Sequence, residues 1–136
     1  MNFSHNALSE DVLVNKAVLI KNSLRQLPEN NEGELTATSF EDIWPLQFAC
    51  EACIDMGIFF IESRNLGKTR HVPDIFEKLV EHKVIELSLS RRLLSMISFG
   101  KMLRQSGRFR GKKCCIYLKK KQMEDLHTFV QQLLLA

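Results

Sequence analysis

Apolar residues in this chain recur at helical spacing. Leu13, Ala17, Ile20, Leu24 and Leu27 stand four, three, four and three residues apart. That spacing lays a single stripe along an α-helix, whereas a strand alternates its faces every second residue. It is the a/d seam of a helix packed at a shallow angle against neighbours. A first helix is therefore expected from about residue 9 to residue 27, ended by Pro28.

The same reading extends down the chain. Residues 29 to 38 are polar, contain Gly33 and read as a loop. Thr38 and Glu41 have capping-box spacing, so a second helix should start near Thr38 or Ser39 and run to about Arg64. Pro45 in its second turn should bend it or delay its start. Ile43, Leu46, Cys50, Cys53, Gly57, Phe60 and Ile61 keep the helical period. The apolar run from Ile58 to Ile61 suggests burial on more than one side. Asn65-Leu66-Gly67 is a C-cap signal.

After a basic loop, Pro73 suits the first turn of a short helix from Asp74 to about Glu81, with Phe76, Leu79 and Val80 inward. A fourth helix should begin near Ser88 or Ser90, carry Leu93, Leu94, Ile97 and Leu103, and end at Gly107 or Gly111. A fifth should run from about Lys113 to Leu134, with Ile116, Met123, Leu126, Val130 and Leu133 on one face. No sustained period-two run bounded by turn residues occurs, so no strand is expected. The fold class is all-α: an antiparallel bundle of four long helices and one short one, a single domain spanning residues 1–136.

At 136 residues the chain can bury one core without staples. No run of about 18 consecutive apolar residues appears, so no membrane span is expected. The N-terminal stretch is polar and then acidic, unlike a signal peptide, which points to the cytoplasm. Free thiols are then expected at Cys50, Cys53, Cys114 and Cys115. Their pattern, one C-x-x-C inside a helix and one adjacent pair, suits small buried residues better than a zinc site. The histidines His5, His71, His82 and His127 are scattered, and no phosphate loop or metal motif appears, so no cofactor is implied.

Charge is the informative quantity. Nine basic residues and no acidic one lie between Lys101 and Lys121, while the remainder of the chain carries 10 basic and 16 acidic residues, a net of −6. Such a block attracts polyanions, and Lys101, Arg104, Arg108, Arg110, Lys112 and Lys113 are the candidate RNA contacts.

Several segments in one order carry a resemblance. Residues 49 to 57, ACEACIDMG, are similar to the second helix of the HepT/YutE group of HEPN domains, with an aspartate and then a small residue at Asp55 and Gly57. Residues 73 to 85, PDIFEKLVEHKVI, resemble that family's P-x-x-x-F-x-x-L-x-x-x-x-V-I segment. Residues 94 to 99, LSMISF, resemble the lead-in to its catalytic motif, and residues 116 to 119, IYLK, the opening of its last helix. The resemblance implies a small toxin ribonuclease that forms a homodimer and pairs with a nucleotidyltransferase antitoxin of the MntA type. That antitoxin modifies a motif tyrosine of the toxin with AMP.

The family motif is R-x(4-6)-H-x-Y. In metal-free RNA cleavage a histidine can take the ribose 2′-hydroxyl proton and an arginine can hold the charge growing on phosphorus. Counted from Phe99, the arginine position is Gly100, the histidine position Gln105 and the tyrosine position Gly107. All three are substituted, so no catalytic residue is assigned. A degraded motif and a pair of compensating frameshifts would each leave such a block, Gly100 to Cys115, between matching flanks. Arg64 and His71 have R-x6-H spacing, but they span a loop, and Pro73 stands where the tyrosine would be. The resemblance thus implies a HepT-like protein with ribonuclease ancestry and weak or no activity. The alternative is a non-catalytic helical module that binds a nucleotidyltransferase or RNA.

Overall fold

A computed structural model describes residues 2–27, 35–37, 40–106, 116–118 and 120–136, with side chains at 11–27, 44–101 and 123–136. Five helices carry the fold: α1 (Asn2–Arg25), α2 (Phe40–Ser63), α3 (Val72–Glu81), α4 (Leu87–Ser106) and α5 (Lys120–Leu135). Their packing makes the all-α bundle that the periodicity implies. The seam of α1 is buried at Leu13, Ile20 and Leu24, with Leu27 just beyond the helix end and Ala17 partly covered. It packs along α2, its most extensive partner.

The central helix is α2, which also meets α3, α4 and α5. Leu46, Ala49, Cys50, Cys53, Met56, Phe60 and Ile61 are all buried. By length and composition alone its Trp44–Ser63 stretch could cross a membrane. Within the bundle those same apolar residues are the core. Pro45 lies inside α2, which starts at Phe40, so the proline does not delay the helix. One missing N–H near a helix start is a small loss when the next turns are packed.

Gly57 sets how closely α3 approaches. A β-carbon at Gly57 would stand 2.8 Å from Ile75 Cγ2, with Leu79 and Phe129 also in contact. Hydrogen bonds from Leu66 N–H to the Ile61 carbonyl and from Asn65 N–H to that of Glu62 close α2 in a Schellman motif. Asn65 takes the left-handed position, at φ 52°. The C-cap signal is therefore real, with Asn65 and not Gly67 doing the turning. Lys83 does the same after α3, at φ 59°. The helix α3 begins two residues before Asp74, at Val72, with His71 as its N-cap residue.

Besides α1, which starts at Asn2 and not near residue 9, two features differ from the sequence reading. Leu35–Ala37 (β1) and Ile116–Leu118 (β2) pair antiparallel, with Thr36 opposite Tyr117. Three-residue strands are too short to display alternation, so the ribbon is invisible to periodicity. The second difference follows from the first. Ile116 belongs to β2, and α5 starts at Lys120, seven residues later than the apolar spacing suggests. Phe76 of α3 and Phe129 of α5 meet at 5.6 Å between ring centroids and join the C-terminal helix to the core.

Candidate functional site at the seam of α2 and α4

Two of the three positions aligned with a ribonuclease motif, Gly100 and Gln105, fall in the last turns of α4. Gly100 is half-buried within that helix. Its carbonyl oxygen accepts a hydrogen bond from Gln47 Nε2 of α2 at 2.9 Å. Among the described residues, a β-carbon at Gly100 would meet only Gln47, at 3.9 Å from Cγ and 3.9 Å from Nε2. Those are ordinary van der Waals contacts, so the position is open to a side chain. Gln47 is buried, and its Oε1 has no hydrogen-bond partner among the described residues. The next residue, Lys101, is exposed.

The remaining candidates divide by position. Arg104 and Gln105 lie on the last turns of α4, where the backbone is described and the side chains are not. Gly107, Arg108, Arg110, Lys112, Lys113, Cys114 and Cys115 lie outside the described residues. The basic block thus begins on the helix that carries Gly100 and Gln105.

Other sequence candidates are engaged elsewhere or exposed. The Arg64 guanidinium lies 4.6 Å over the Phe60 ring and donates to the Ala136 carbonyl at 2.8 Å. His71 is exposed at the start of α3. The Asp74 carboxylate accepts from the backbone N–H groups of Arg70 and His71 at 3.1 Å each. Those two hydrogen bonds hold Asp74 below the usual carboxylate range. Arg64 is thus engaged with Phe60 and Ala136 at the end of α2, and His71 is the N-cap residue of α3. His82 and His127 are exposed.

Cys50 and Cys53 are buried free thiols. Burial pushes the Cys50 thiol up to about 12, and it raises Cys53 as well. Neither has the thiolate character of a metal ligand or nucleophile. Among the described residues no group of three or more His, Cys, Asp or Glu side chains could hold a metal. Asp55 is exposed and lies 3.5 Å from Lys16 Nζ, a surface ion pair.

Gln47 is the site residue that the sequence reading passed over. A signal existed: it is a lone amide at a buried helical phase, directly after Leu46 and three before Cys50.

No family model and no curated protein matches the sequence. Solved structures do. A toxin–antitoxin structure with AMP-PNP superposes at a TM-score of 0.72 and 20% identity, covering 93% of this chain and 99% of that one. A tri-AMPylated Shewanella oneidensis HEPN toxin, in complex with its MNT antitoxin, superposes at 0.68 and 20%, covering 93% and 98%. A mutant of the MntA–HpeT toxin–antitoxin superposes at 0.66 and 20%, covering 92% and 99%.

Proposed function

From the premise that this chain has the HEPN-toxin fold, we propose that it is a HepT-like toxin-family protein, one half of a toxin–antitoxin pair. Its partner would be a nucleotidyltransferase antitoxin like MntA. The observation that carries this reading is the fold match over 93% of this chain and 99% of the matched one. A likeness over 93% of this chain and 99% of the other supports reading residues 1–136 as one such domain and not as a shared helix pair.

The chemistry follows from what stands at the motif positions. Gly100 offers no cation, Gln105 cannot act as a base and Gly107 has no hydroxyl to modify. Loss of a general base alone typically costs about 10² to 10⁴ in rate, and loss of an anion-stabilising donor a similar factor. The chain is therefore a toxin relative with weak or absent ribonuclease activity. It works as a cytoplasmic homodimer that holds RNA on the basic block from Lys101 to Lys121. A second reading, a non-catalytic module for a nucleotidyltransferase or RNA, draws on the same three substitutions.

The test uses the full chain. Purified wild-type protein should leave RNA uncut, and Gly100→Arg, Gln105→His and Gly107→Tyr together should revive cleavage. Wild-type cleavage abolished by His71→Ala would move the site elsewhere. A triple revertant that folds and still fails to cut would favour the binding module. Light scattering should give about twice the 15.7 kDa chain mass, and a monomer would remove the dimer.

A further inference from the structure

Phe60, Phe76 and Phe129 are fully buried, and Phe59 and Phe99 pack partly against the core. Among the described side chains two other aromatics stay out: Trp44 is 47% exposed and Phe48 40%. They stand four residues apart on α2, so they share one face, a turn apart. A single exposed apolar residue needs no explanation, but two aromatic rings on one face offer a surface for stacking. Between them in the sequence, Gln47 donates to the Gly100 carbonyl of α4 at 2.9 Å. That bond holds the first turns of α2 beside the part of α4 where Lys101 is exposed and the run of nine basic residues begins. Exposed rings and clustered cations therefore share one end of the bundle. The exposed acids of α2, Glu51 and Asp55, stand one and two turns further along.

We propose that Trp44 and Phe48 are a stacking platform for unpaired bases of a single-stranded RNA whose phosphates lie on the basic block that starts at Lys101. Every base has a π-face, so rings of this kind accept any sequence while neighbouring cations hold the backbone. In a duplex those faces are covered by the next base pair, so the ligand class is RNA with bases free to splay out. The charges on α2 set the direction of the strand. Lys16 Nζ lies 3.5 Å from Asp55 and offsets part of its charge, but the segment beyond Phe48 still turns phosphates away. The strand thus leaves the rings toward Lys101 and does not run along α2. That RNA is bound at all rests on the function proposed above. The assignment of the two rings to bases rests on their exposure and on their place beside the basic block.

The test uses the full chain and two probes, a short oligouridylate and inorganic polyphosphate, which carries the charge without the bases. Trp44 is the one tryptophan of the chain, so tryptophan fluorescence reports on that position alone. Oligouridylate should quench it in step with binding, and polyphosphate should compete for the protein without quenching. Trp44→Ala with Phe48→Ala should weaken oligouridylate binding about tenfold, leave polyphosphate binding unchanged and keep the salt slope. Trp44→Phe with Phe48→Tyr should retain most of the affinity. Oligouridylate binding with no change in tryptophan fluorescence would overturn the proposal, and this readout needs no variant. Equal quenching by polyphosphate would overturn it too, as would wild-type affinity in the double alanine variant. A double alanine variant that sediments as a monomer beside a dimeric wild type would assign the rings to a contact between copies and likewise overturn it. Failure of the two readings is distinguishable. Steep salt dependence without stacking would sink the platform and spare RNA binding, whereas no binding of either probe at low salt would sink both.

Discussion

The Arg92 guanidinium of α4 clasps the Asp125 carboxylate of α5 with two hydrogen bonds, Nε to Oδ2 at 3.0 Å and Nη2 to Oδ1 at 3.3 Å. The arrangement is lopsided: the Asp125 side chain is 8% exposed and that of Arg92 46%. A bidentate pair with one buried partner matters chiefly for what its removal strands. Arg92→Leu should destabilise the chain by about 1–3 kcal/mol, because a nearly buried carboxylate loses its donors. Arg92→Lys should recover only part of that, since an ammonium cannot reproduce the fork. Adding Asp125→Leu to Arg92→Leu should restore stability toward wild type. Urea unfolding checks all three, and an Arg92→Leu variant as stable as wild type would reduce the pair to a surface contact.

Two helical glycines should respond in opposite directions. At Gly57 a methyl group would press on Ile75 Cγ2, a β-branched methyl that cannot swing away, so Gly57→Ala should cost about 1–3 kcal/mol. At Gly100 the nearest atoms stand at 3.9 Å, so Gly100→Ala should gain about 0.5–1 kcal/mol through reduced backbone freedom in the unfolded chain. Thermal or urea unfolding of the two variants side by side decides it. A neutral or stabilising Gly57→Ala would mean that close approach of α3 to α2 is not what holds Gly57, and a destabilising Gly100→Ala would mean that position 100 is less open than its neighbours suggest.

The helices were legible because burial in a bundle imposes its own period. Leu13, Ile20, Leu24 and Leu27 are buried at the spacing that their sequence announces. Asn65 and Pro73 punctuate the chain where their backbone preferences say they should. Pairing between distant segments was not legible. Thr36 and Tyr117 face each other across the ribbon, and nothing local to either marks the other. That pairing also takes Ile116 out of the helix that its apolar spacing suggests. The site was half legible. Gly100 could be placed by counting from Phe99, but Gln47 becomes a site residue only because α2 and α4 pack. A one-dimensional pattern carries no record of which helices touch.

The buried cysteines yield a pH prediction. Cys50 has its thiol raised to about 12 in the folded chain, and Cys53 is raised for the same reason, against about 8.5 for an unfolded cysteine. The neutral thiol is the form that the fold favours. The associated stability is therefore fully present below pH 8.5 and is lost as pH rises from there toward 12. Urea midpoints should fall between pH 8 and pH 10.5, and less so in Cys50→Ala/Cys53→Ala. Labelling of both native thiols by a disulfide reagent should wait on opening of the core. Rapid labelling of Cys50 or Cys53 at pH 7 in folded protein would show that α2 is less closed than described.

Charge sets one part of the chain against the rest. Lys101 begins a block of nine basic residues in a protein whose remainder is net acidic, and Lys101 itself is exposed on α4. Each phosphate neutralised by such a block releases condensed counterions, so binding to RNA should weaken steeply with salt. For single-stranded RNA the logarithm of the association constant should fall against the logarithm of salt with a slope of roughly −0.7 per phosphate contacted. Charge reversal at Arg104, Arg108 and Lys112 should flatten that slope and weaken binding across unrelated RNA sequences alike, because phosphate contacts carry no sequence information. Reversal of Glu51, Asp55 and Glu62 on α2 should strengthen binding slightly or leave it unchanged. Titrations at three salt concentrations separate the cases. Unchanged affinity and slope in the Arg104, Arg108 and Lys112 variant would take the basic block out of RNA binding. Loss confined to one RNA sequence would point instead to base contacts made elsewhere on the bundle.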